Sequence, residues 1–82
     1  GGYQAEATVT AESRIGGWRV SFTPANDQTI LDVWNGVRTD VDGVVTVRNT
    51  AWNGALSAGS STTFGFIVNG GSTVPEMTCA AA

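Results

Sequence analysis

The side chains here that could do chemistry are three tryptophans, seven acids and four cations, all of the cations arginine. Histidine is absent, which removes the commonest general base and the commonest metal ligand and makes Ser-His or Cys-His relays impossible. Lysine is absent too, so there is no Schiff base and no phosphate-loop lysine. Gly16-Gly17 and Gly70-Gly71 therefore read as turns. Asp40 and Asp42 flank a hairpin tip and read as turn chemistry, because two carboxylates fall short of the roughly six or more oxygens calcium prefers. Cys79 is alone, so it can neither staple the chain nor anchor a zinc site. No cofactor or metal is expected. A formal charge of -3 with no basic stripe argues against nucleic acid.

What remains is the tryptophans, and their settings differ. Trp18 alternates in phase with Val20 and Phe22 and reads as core. Trp34 ends a strand and shares a face with the carboxylate of Asp32. Trp52 sits in a turn between Thr50-Ala51 and Asn53-Gly54. From pattern alone Trp34 and Trp52 either form a lid over the end of the fold or stand exposed, and large exposed aromatics usually mark a binding surface. A sugar ring suits such a surface: its axial C–H groups stack on a rigid indole plane, and its equatorial hydroxyls meet Asn and Asp side chains. The candidate carbohydrate-binding residues are thus Trp34, Trp52, Asp32, Asn35 and Asn53. Two coplanar indoles would grip alternate rings of one extended β-linked chain, and a flat polysaccharide favours such a platform over a cleft.

Strands must carry these residues. The chain has 82 residues, read as a single domain over 1–82. Only 13% of residues are charged, against roughly 25% in typical domains, so the surface is built from Thr, Ser, Asn and Gly, as in secreted β domains. Tyr3, Ala5, Ala7 and Val9 alternate with Gln4, Glu6, Thr8 and Thr10, a half-buried strand. Trp18 to Phe22 is a second strand, ended by Pro24. Gln28 to Asn35 is a third, with Leu31 and Val33 opposite Ile30, Asp32 and Trp34. Val37 to Val41 and Val44 to Asn49 form a hairpin about Asp42-Gly43. Thr63 to Val68 puts Phe64, Phe66 and Val68 on one face, and Val74 to Cys79 is the last strand, followed by a frayed Ala80-Ala81-Ala82. About seven short strands spaced by turns predict an all-β, antiparallel two-sheet β-sandwich of jelly-roll or immunoglobulin-like type. No apolar run is long enough to span a membrane. The Gly1-Gly2 start, without Met or a basic leader, reads as a processed or trimmed end.

Several short motifs in this order resemble family 2 carbohydrate-binding modules: Gly2-Tyr3, the alternating Ala5 to Thr10, Gly16-Gly17-Trp18, Trp34-Asn35, Val45-Thr46-Val47-Arg48-Asn49, Trp52-Asn53-Gly54, Leu56-Ser57-Ala58-Gly59 and Phe64-Gly65-Phe66. The resemblance runs from about Gly2 to Cys79. It implies a β-sandwich appended to secreted bacterial polysaccharide-degrading enzymes, binding cellulose or chitin, with a xylan-binding branch. Cellulose-type members carry a strip of exposed tryptophans; by position Trp34 and Trp52 match two of them, Trp18 matches the buried one, and Asp32 falls beside the strip. The family's usual first strand, with its cysteine and a further binding tryptophan, has no counterpart before Gly2, which implies an unpartnered Cys79. Ile67 stands where the family tends to be polar.

The reading is a secreted, extracellular, non-catalytic module for insoluble polysaccharide, with cellulose first and chitin or xylan behind it, covalently linked to a catalytic domain and with no nucleic-acid or membrane partner. The retention of Trp34 argues against the xylan branch. The rival reading is a protein-interaction or self-associating sandwich with the tryptophans as interface anchors. An enzyme is disfavoured by the missing histidine and metal ligands.

Overall fold

The computed structural model describes residues 2–71 and 75–82. The first alternating segment forms β1 (Gly2–Thr10), with Tyr3, Ala5, Ala7 and Val9 turned inward and the four polar residues between and after them exposed. The same period of two builds β2 (Trp18–Phe22), β3 (Thr29–Trp34), β4 (Val37–Val41), β5 (Val44–Arg48), β6 (Ser61–Asn69) and β7 (Met77–Ala81). All pairings are antiparallel. One sheet has the order β1-β6-β3 and the other β4-β5-β2-β7. The β4–β5 turn places Asp42 at φ 52° and Gly43 at φ 80°, both left-handed, as a two-residue hairpin needs.

Each sheet has one apolar face, and the two faces cover each other. The core they form includes Val20 and Phe22 of β2, Val45 and Val47 of β5, and Phe64, Phe66 and Val68 of β6. Aromatic pairs bridge the sheets: Trp18 stacks on Phe64 with centroids 5.6 Å apart, and Phe22 meets Phe66 at the same separation. Trp18 is fully buried, as its phase with Val20 and Phe22 predicts. Ile15 and Leu56 pair as an isolated bridge that pins the β5–β6 connection to the loop before β2.

Three sequence expectations need correction. In β3 a bulge between Ile30 and Asp32 resets the alternation. Ile30 turns inward and is buried, and Leu31 sits on the bulge with 59% exposure. Val33 joins the core and Asp32 and Trp34 face outward, so the expected pairing of Leu31 with Val33 fails. At the other end, the last strand is Met77–Ala81, not Val74 to Cys79; Ser72 and Val74 lie outside the described residues. The alanine tail is not frayed. Ala80 and Ala81 pair with Arg19 and Trp18, and the Ala82 N–H donates to the Gly17 carbonyl at 3.0 Å. A backbone ladder on β2 fixes residues whose side chains alone would bury little.

Candidate functional site

Trp34 ends β3 directly opposite Gly65 of β6. Phe64 and Phe66 point into the core, so Gly65 belongs to the outer face of the three-stranded sheet. A Cβ at position 65 would collide with Cε2, Cζ2 and Nε1 of Trp34. The indole therefore lies across β6 in the space a side chain would take. It is half-buried, with one face resting on the strand. Glycine between two core phenylalanines weakens a strand locally, and its use here is close approach.

Trp52 lies in the turn between β5 and β6 and is 75% exposed. The turn itself is well satisfied. Asn53 Oδ1 accepts from the Thr50 N–H at 2.7 Å and from the Thr50 hydroxyl at 2.8 Å. Asn53 Nδ2 donates to the Asn35 carbonyl at 2.7 Å. The Asn53 carbonyl accepts from Trp18 Nε1 at 2.9 Å, which also satisfies that buried indole. Asn49 braces the same corner, accepting from the Trp18 N–H and donating to the Thr50 carbonyl, both at 2.9 Å.

The candidates therefore separate. Asp32 shares the outer face with Trp34, is exposed, and accepts from the Val33 N–H through Oδ1 at 2.9 Å. Asn35 is exposed and left-handed at φ 61°, a conformation asparagine tolerates, and its carbonyl is the Asn53 acceptor. Asn53, counted from sequence among the carbohydrate-binding candidates, is buried at 8% exposure with its amide engaged at both ends within the chain, so it braces the turn. Burial of a side-chain amide requires partners, and this one found them within the chain. Sequence reading also missed Gly65 as the bed of Trp34. Its signal was present in Phe64-Gly65-Phe66, a glycine interrupting an apolar alternation.

Elsewhere the charges serve the frame. Arg38 grips Asp40 through Nε and Nη2, each at 2.7 Å, and its Nη1 donates to the Ile30 carbonyl of β3 at 2.6 Å. Hydrogen bonds from Arg38 hold the Asp40 carboxyl below its ordinary pKa, and Asp40 raises that of Arg38. Among the described residues no three acids or cysteines gather in a way that could hold a metal ion. A hollow of about 440 Å³ lies by Val9, Ala11, Ile15, Trp18 and Cys79, and none of the candidate residues lines it. The candidate site is thus a surface, not a pocket.

A family model described as "Cellulose binding domain" matches residues 1–81. Endoglucanase A of Thermobispora bispora is 46% identical over 85 residues, a match covering 100% of this chain and 19% of that protein, so this chain spans about a fifth of its length. Among solved structures, the chitin-binding domain of a chitinase from Pyrococcus furiosus superposes with a TM-score of 0.78 at 29% identity, covering 98% of this chain and 79% of that one. A cellulose-binding family 2 carbohydrate binding domain solved by NMR gives 0.74 at 35% identity, covering 100% and 85%.

Proposed function

The chain belongs to the cellulose-binding-domain family, and from that premise we propose that it is a non-catalytic module that adsorbs to insoluble polysaccharide, cellulose foremost, by stacking sugar rings on Trp34 and Trp52. The observation that carries this reading is the indole of Trp52, three-quarters exposed on a turn braced by the Asn53 side chain through Thr50 and Asn35. A rigid indole on a braced backbone has little backbone entropy left to lose on binding, which favours a stacking contact. Asp32 and Asn35, both exposed beside Trp34, are the proposed hydroxyl partners. The module works as part of a larger secreted enzyme and raises that enzyme's effective concentration at the solid substrate. Chitin is the second ligand, supported by the likeness to the chitin-binding domain. Family membership does not favour the rival, a self-associating sandwich anchored by the same tryptophans.

The test is depletion from solution by microcrystalline cellulose, chitin and xylan in parallel. The Trp34→Ala, Trp52→Ala double variant should lose about 100-fold in affinity for cellulose, which corresponds to about 2.7 kcal/mol for two stacking contacts. Its melting temperature should drop less than that of a core variant, since Trp52 is largely exposed and Trp34 is half-buried on an outer face. Equal adsorption of parent and double variant would overturn the stacking platform. Stronger retention on chitin or xylan than on cellulose would reassign the ligand.

A further inference from the structure

Trp34 is positioned by its own strand, because register places it opposite Gly65 and its ring lies on β6. Trp52 has no such bed. At 75% exposure its ring has little packing to fix it, so its position follows from the backbone of residues 50–54. That backbone is organised by one buried side chain. Asn53 closes the turn on Thr50 with Oδ1, ties it to Asn35 with Nδ2, and rests on the core through its carbonyl and Trp18 Nε1. Asn35 is the residue after Trp34 and Asn53 the residue after Trp52, so a single 2.7 Å bond joins the two aromatic positions across 18 residues of chain.

We infer that Asn53 is a positioning residue that sets the place of Trp52 relative to Trp34 and so makes two weak stacking contacts act as one rigid platform; this rests on the polysaccharide-binding reading above. Two contacts on one rigid body act with a high effective concentration, and a loose joint lowers it without removing either contact. Asn53 itself touches no ligand, since it is buried and its amide is occupied at both ends.

The decisive variant is Asn53→Asp. It keeps an acceptor for Thr50 but replaces the donor facing the Asn35 carbonyl with a second acceptor. Adsorption to cellulose should fall about 10-fold, yet adding Asn53→Asp to Trp52→Ala should change adsorption less than about twofold, because the joint then has nothing to position. An equal further loss in that background would overturn the inference, since it would mean direct contact or general damage. The second readout needs no sugar: residual dipolar couplings of the indole N–H groups should show Trp52 averaging in Asn53→Asp while Trp34 and Trp18 keep theirs. Unchanged Trp52 couplings would also overturn it. Should Asn53→Asp fail to fold, Thr50→Val removes one of the two donors to Oδ1 and should give a loss of about threefold that likewise vanishes with Trp52→Ala. If the parent adsorbs to neither cellulose nor chitin, the binding reading falls, and the dipolar couplings still decide whether Asn53 holds Trp52 in place.

Discussion

The two outer faces of the sandwich differ in a way their alternation does not announce. Both are polar-out faces of antiparallel sheets. On the three-stranded sheet, the central strand β6 presents Gly65, and the edge strand β3 lays Trp34 over it, with Asp32 two residues back on the same face. On the four-stranded sheet the central strands β2 and β5 keep their side chains. Ser21 and Thr46 share a hydrogen bond at 3.2 Å, and Arg19 stands directly opposite Arg48. Like charges directly opposite on one sheet face repel. The first face carries an indole laid across its central strand because Gly65 has no side chain there, whereas the second carries hydroxyls and guanidinium groups. The proposed binding face is made by the absence of one side chain in a central strand.

The sharpest way to break the comparison is Gly65→Ala. The new Cβ occupies the place of the Trp34 ring, so the indole must lift off β6. Adsorption to cellulose should fall about 10-fold or more, and denaturant unfolding should show a loss of about 1–3 kcal/mol from overpacking. Adsorption unchanged by that substitution would mean the bed of Trp34 is irrelevant to binding. On the opposite face, Arg19→Gln should leave adsorption unchanged and raise stability by up to about 0.5 kcal/mol at low salt, a gain that shrinks as salt screens the pair. A loss of cellulose retention there as large as that of Trp52→Ala would place binding on the wrong face. An effect of similar small size belongs to the seam between the sheets, where Arg38 ties Asp40 and the Ile30 carbonyl together. Because the folded pKa of Asp40 is lowered by its hydrogen bonds from Arg38, the pair's contribution is present above the ordinary carboxylate pKa and is lost as pH falls through the lowered one. Asp40 is half-exposed, so solvent limits the contribution to about 0.5 kcal/mol. Unfolding free energies of the parent and Asp40→Asn, measured from neutral pH downward, should differ by that amount and converge in acid.

Much of this molecule was legible in the residues. Strict alternation in Tyr3 to Thr10 predicted which side of β1 faces the core, and Asp42-Gly43 predicted a hairpin that does take two left-handed residues. The phase of Trp18 with Val20 and Phe22 predicted its burial. The bulge at Leu31 was not legible, because an extra residue in a strand shows only when the partner β6 is present to count against. Nor was the burial of Asn53, since Trp52-Asn53-Gly54 reads equally as an exposed turn. The tail was misread for a related reason: Ala80 and Ala81 have no apolar signal, and their order comes from backbone bonds to β2.

Side-chain alternation and turn chemistry act between near neighbours along the chain, so the number and character of the strands, the buried tryptophan and the aromatic character of the candidate site could be read before folding. That Gly65 lies under Trp34 and that Asn53 reaches the carbonyl of Asn35 was set by the packed fold. Those contacts join residues on different strands and turns, and register and sheet packing, which emerge when the whole core closes, bring them together.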